Sequence, residues 1–322
     1  MTKTRGLSDR FMKDLQSGGS LNQLLLRVQG DTTLDLEIRE NYLNVYYRGG
    51  SLLKVSPVPR KPGAYTFFFD KNYAPKPRRA ALGLPADLVE SPAAVEKWMA
   101  AIPVLKDTMD LWFGKHPKDE RALQQTVVWE NNDSPWANGT DYFIIDIEYD
   151  NHRGARFDLV ALEWESSASP RKLAKGYQPR LVIIEMKAGD GALKGEAGIE
   201  THIEQQRRFL GNKRRVEAFK NEMLNVFEQK RDLGLIKALK RNPNHIKKLA
   251  ANVDVVFLLA GHDPASRKLS TILTQVQQNR LAAPGGASIQ FCSANFMGYG
   301  LYKEGVHLLS DFSQIFSEQL KF

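Results

Sequence analysis

The stretch Arg180-Leu181-Val182-Ile183-Ile184-Glu185-Met186-Lys187-Ala188-Gly189-Asp190 decides how this chain reads. The apolar run 181–184 predicts a buried strand. The same strand then carries a carboxylate and an ammonium two residues apart. In a strand, side chains i and i+2 project to the same side, roughly 7 Å apart by the strand rise. Glu185 and Lys187 therefore project together, on the face of Leu181 and Ile183, and Gly189 and Gly191 end the strand. Charges at the end of a buried strand need partners, because an unpaired buried charge costs several kcal/mol. Glu-x-Lys alone carries little information: Glu228-Gln229-Lys230 repeats it in a charged helical stretch, where i and i+2 diverge.

Upstream, Asp141–Asp150 and Ala155–Trp164 read as two strands joined by the turn 151–154, and a polar loop, 165–179, leads into the quoted run. Before them, 119–131 reads as a helix with Leu123 and Val127 on one face. Downstream, a long helix from about Gly198 breaks near Gly211 or Gly234. Val253–Gly261 is apolar on both faces and reads as an internal strand. Ser288–Phe296 adds a further strand, and a helix ends the chain. From Asp119 the order is helix, strand, strand, strand, helix, strand, which predicts an α/β protein with a mixed sheet flanked by helices.

The first part of the chain reads differently. A short helix is expected around Leu21–Val28. Leu34, Leu36 and Ile38 then alternate with polar residues, Gly49-Gly50 supplies a turn, and Ala64–Asp70 adds a strand, giving a small antiparallel meander. A segment rich in Pro and basic residues, 74–85, precedes a helix from Pro92 towards Phe113. We place the boundary near residue 118, with 1–118 as a substrate or partner module and 119–322 as the domain that carries the chemistry.

Asp158 lies inside the strand before the quoted run, on the face of Val160 and Leu162. If these two strands pair as a hairpin, Asp158 and Glu185 converge on one cation, and the Met186 carbonyl supplies a third oxygen. All-oxygen ligation suits Mg²⁺ or Mn²⁺. Lys187 would then orient a water or stabilise negative charge. Such an assembly suits hydrolysis of a phosphodiester.

Asp158 followed by Glu185-Met186-Lys187, on successive strands between two helices, resembles the PD-(D/E)XK nuclease superfamily over roughly Asp119–Gly261. The resemblance implies a restriction-endonuclease-like fold, divalent metal held by Asp158, Glu185 and Met186, and Lys187 assisting the attacking water. Phe157 stands where the family's name places proline. Many members add a Glu from the first helix; Glu120 is the candidate, with Glu130 next. Some add a Gln from the helix after the third strand, which points to Gln205, although Phe209 stands where a Gln-x-x-x-Tyr pattern has Tyr. Gln206 shares a stripe with Ile199, Ile203 and Leu210. His202 reads as a packed or surface histidine rather than a general base. Asp146 and Glu148 read as a sheet face open to water, and Asp190 as a turn residue or an outer partner of the site.

Charge points the same way. The chain has 322 residues and a formal net charge of +8. Residues 201–250 hold 13 basic and 5 acidic residues, whereas 131–170 hold 2 and 8. Interleaved Val216, Phe219, Leu224 and Phe227 suggest amphipathic helices whose basic side neutralises backbone phosphates. Nucleic acid is the expected partner, DNA ahead of RNA, with a homodimer suited to a double-strand cut and defence or DNA processing as the setting the resemblance implies. One cysteine, Cys292, excludes an internal disulfide and a multi-cysteine zinc site. No membrane-spanning stretch or signal sequence is read, so a cytoplasmic protein is expected. The alternatives are a catalytically silent nucleic-acid-binding or assembly protein on the same fold, and an unrelated α/β protein whose charged strand end is structural.

Overall fold

The computed structural model describes residues 4–74, 76–150, 155–174, 176–239, 242–261, 267–278, 287–294, 301 and 303–319. Residues 1–125 and 225–240 form one compact unit; residues 126–224 and 241–322 form a second.

The first unit opens with α1 (Asp9–Leu15) and α2 (Asn22–Gln29) and continues into a five-stranded antiparallel sheet. Its strands are β1 (Leu34–Ile38), β2 (Leu43–Tyr47), β3 (Gly50–Pro57), β4 (Tyr65–Phe68) and β5 (Leu88–Val89), in that spatial order. The turn between β2 and β3 needs its glycine: Gly49 has φ +73°, and a Cβ there would meet the Arg121 main chain at 2.3 Å. The Pro-rich segment holds a short helix, α3 (Lys76–Ala81), that its composition concealed. The helix α4 (Pro92–Phe113) is one continuous element. Ser91 caps it by accepting from the Ala94 N–H, and Pro92 sits where a missing N–H costs nothing. Val95, Trp98, Ile102, Leu105, Met109 and Phe113, spaced by three or four, form its buried face. Then α5 (Asp119–Val128) runs on into a π-helical turn, Trp129–Asp133.

The second unit is built on a mixed six-stranded sheet. Strand β6 (Tyr142–Asp150) lies at one edge, antiparallel to β7 (Arg156–Glu163), which is antiparallel to β8 (Arg180–Ala188). The loop between β7 and β8 carries one turn of helix, α6 (Ala168–Arg171). Two helices, α7 (Ile199–Leu210) and α8 (Lys213–Asp232), make the crossover to β9 (Val253–Ala260), which pairs parallel to β8. The break falls at Gly211-Asn212, where the Asn212 Oδ1 accepts from the Arg215 N–H and restarts the helix. After α9 (Arg267–Gln278) come β10 (Ile289–Ala294), parallel to β9, the two-residue β11 (His307–Leu308), and α10 (Leu309–Gln319). Every residue of β9 is buried, and the strand is apolar except for Asp254, whose carboxylate accepts from Arg180 at 2.7 Å. The turn 151–154 and positions 295 and 296 lie outside the described residues.

The mixed α/β architecture and the β7–β8 hairpin agree with the sequence reading; two local expectations, at Asp146 and over 242–250, do not hold. Glu37 on β1 is fully buried, where Lys230 Nζ donates to it at 2.9 Å and Arg39 lies 3.6 Å away. Asp146 is also fully buried: β6 is buried from Tyr142 to Ile147 and bulges between Ile144 and Asp146, so it has no face open to water there. Helix does not extend through 242–250, which has no regular structure. Pro243 removes a donor there, and the Asn242 and Asn244 amides both donate to the Lys172 carbonyl instead.

Candidate active site

The site forms where one ladder stops and its neighbour continues. The β7–β8 pairing runs from Glu163–Arg180 to Leu159–Ile184, whereas the β8–β9 pairing continues to Ala188–Ala260. Residues 185–188 are therefore held on the β9 side but lie past the end of the ladder on the β7 side. Asp158, the next residue of β7, fills that gap with its side chain: its Oδ2 accepts from the Met186 N–H at 2.8 Å. A strand residue's N–H and C=O point to the same edge. The Met186 carbonyl therefore also faces the Asp158 side. Gly189, at φ +65°, ends β8, and its N–H is tied to the Ala260 carbonyl.

Strand β6 is irregular at the same level. Its register to β7 passes from Ile147–Leu159 to Tyr149–Phe157, omitting Glu148 and Asp158. Glu148 has φ +50°, a left-handed conformation that non-glycine residues adopt rarely and at a cost. Phe157 supplies the anchoring. It stacks on Tyr149 at 5.3 Å and meets Phe209 and Phe219 edge-on at 5.0 and 5.5 Å. This ring cluster fastens β7 to α7 and α8 one residue before Asp158.

Glu185 and Lys187 are 2 % and 3 % exposed, and Lys187 Nζ donates to Glu185 Oε1 at 3.0 Å. The same Oε1 also contacts His202 Nδ1, reaching in from α7. Lys187 Nζ lies 3.4 Å from that nitrogen. Burial by itself would raise the Glu185 carboxyl. The His202 hydrogen bond and the Lys187 and His202 charges outweigh it, and the group is held below the ordinary carboxylate range. Glu185 Oε2 is buried with no hydrogen-bond partner among the described residues.

The remaining expected residues lie on other elements. Gln205 is exposed and Gln206 is buried at 2 %, because one helical step of about 100° separates them. Gln206 stands four residues from His202, on the same side of α7, and its Oε1 is buried without a partner. Glu120 is exposed in the first turn of α5 and belongs to the first unit, whereas Asp158, Glu185 and Lys187 belong to the second. Glu130 is half-buried in the π-helical turn of the second unit. Asp190 is half-buried just past β8, with a buried Oδ1 that has no partner. His202 is the residue that sequence reasoning set aside.

Neither a protein-family model, nor a curated protein, nor a solved structure matches this chain. Among the described residues, no three His, Cys, Asp or Glu side chains form a group that would hold a metal, and no helix is long and apolar enough to cross a membrane.

The available donors for a metal are Asp158, Glu185 and the Met186 carbonyl, all hard oxygens. The buried Glu185 Oε2, with no donor to satisfy it, is the position where a cation would compensate burial. The set fits Mg²⁺ or Mn²⁺ and does not suit a thiophilic ion.

The basic stretch contributes fewer accessible cations than its count suggests. Lys220 is buried, bonded to Glu217 and the Ala251 carbonyl. Lys230 is committed to Glu37, and Arg231 to Glu228. Arg207 and Arg208 share Glu204. Lys213, Arg214 and Arg215, in the first turn of α8, are exposed and have no ion pair among the described residues.

Proposed function

We propose that this chain is a divalent-metal-dependent nuclease of the PD-(D/E)XK type, with a restriction-endonuclease-like second unit that hydrolyses phosphodiester bonds, DNA ahead of RNA. The observation that carries the reading is the Asp158 carboxylate seated on the Met186 N–H. It brings the acidic residue of one strand to the Glu-x-Lys of the next, where the ladder between them has ended.

In this reading Asp158, Glu185 and the Met186 carbonyl hold the ion. When bound, the ion supplies charge neutralisation at the phosphate and a more acidic water. Lys187 has three donors, of which one is used on Glu185. The others are available to orient the attacking water and to stabilise charge on a phosphate oxygen. The water gives up a proton to solvent as its oxygen bonds to phosphorus, one P–O ester bond breaks, and the departing oxygen takes a proton from solvent. Lys213, Arg214 and Arg215 supply salt-sensitive, sequence-neutral contacts to the backbone.

A second reading, a silent binding or assembly protein, is favoured by one observation: Glu185 is already paired with Lys187, and His202 contacts the same oxygen. The test is incubation of the native protein with supercoiled, linear and single-stranded DNA and with RNA, in Mg²⁺, Mn²⁺ or chelator. Metal-dependent cleavage supports the nuclease and names its substrate. Failure to cleave, together with failure to bind Mn²⁺ in calorimetry, overturns it in favour of the silent protein.

A further inference from the structure

Glu185 has two oxygens, and both nearby donors use the same one. Lys187 Nζ donates to Oε1 at 3.0 Å, and His202 Nδ1 contacts Oε1 as well. A carboxylate only accepts, so the Nδ1 contact requires a proton on Nδ1. That nitrogen therefore cannot also accept from Lys187, which lies farther off at 3.4 Å. Two donors on one oxygen fix the rotation of the carboxylate and leave Oε2 as the buried atom without a partner among the described residues.

The main chain holds His202 in place. Gly195, at φ +81°, and Gly198 form the turn that starts α7, with the Gly198 N–H bonded to the Gly195 carbonyl and the His202 N–H to the Gly198 carbonyl. A Cβ on Gly198 would lie 2.8 Å from the Lys194 main chain, so the turn is closed to larger residues. Its side chain is 20 % exposed, against 2 % for Glu185, so the ring also stands on the solvent side of the carboxylate.

We infer that His202 is a positioning residue, which pins Glu185 Oε1 so that Oε2 is presented to the cation. This rests on the metal-dependent reading above. Groups that hydrogen-bond a ligating side chain typically govern metal affinity by about 10–100-fold. The experiment is Mn²⁺ titration by calorimetry, with no nucleic acid present, of the native chain and of His202→Ala, His202→Asn and His202→Leu, each checked by circular dichroism. The Ala and Leu variants lose affinity within that range. The Asn variant, which keeps an amide N–H near the place of Nδ1, recovers most of it. Native affinity in Ala or Leu overturns the inference while leaving the metal site standing. Should Ala fail to fold, equal affinities in Asn and Leu, which differ in the donor, overturn it as well. A native protein that binds no Mn²⁺ overturns the nuclease reading and this inference with it.

Discussion

Removing Lys187 alone should harm the fold more than removing both members of its pair. Lys187→Met leaves Glu185, 2 % exposed, with only His202 as a charged or donor partner. Breaking a buried pair from one side costs about 3–5 kcal/mol, because the remaining charge is uncompensated. We expect about 3 kcal/mol here, the lower end, since His202 still reaches Oε1. Replacing both residues, as in Glu185→Met with Lys187→Met, removes both charges at similar volume, and such replacements are often close to neutral. The double variant should therefore be more stable than Lys187→Met by about 2 kcal/mol. Urea denaturation in chelator, read by hydrogen exchange of peptides covering β8 and β9, follows the second unit on its own. A double variant as unstable as the sum of the two single ones would refute the claim that the charges compensate each other.

Other outcomes follow from particular contacts. The folded Glu185 carboxyl binds its proton less readily than the unfolded one. Its contribution to stability is therefore complete above the unfolded pKa and is lost as pH falls through the lower folded value. Glu185→Gln should flatten the acid limb of stability against pH, and an unchanged acid limb would contradict the assigned direction. Gly49→Ala should destabilise the first unit by more than about 1 kcal/mol, through both its positive φ and the Arg121 clash; a thermal midpoint equal to native would count against that packing. Gln205→Ala, at an exposed position, should change stability by less than about 0.5 kcal/mol and leave Mn²⁺ affinity alone. Loss of affinity would return Gln205 to the site.

The apolar run 181–184 made β8 legible, and with it the shared face of Glu185 and Lys187, because a strand's side-chain geometry is local. The Asp158 position was legible once β7 and β8 were taken as consecutive paired strands, with the polar loop 165–179 bridging them. What escaped the sequence was not local. The Gln205–Gln206 choice turns on one helical step, which the tertiary docking of α7 settles. His202 gains its partner only when α7 is set against the end of β8. The β6 bulge moves Asp146 into the interior, and no residue between Ile144 and Asp146 announces it. Counting basic residues overstated the phosphate-binding surface, because Lys220 and Lys230 are spent on buried partners. The left-handed Glu148 has no signal in its residue type at all.

The most direct test of the central claim is cleavage of the preferred nucleic acid in Mg²⁺ or Mn²⁺ by folded Asp158→Asn, Glu185→Gln and Lys187→Met beside the native chain. The expected result is native cleavage that chelator abolishes, and a loss of about 100-fold or more in each variant. Metal-dependent cleavage that survives all three substitutions would contradict it, and the chemistry would have to be sought elsewhere in the chain.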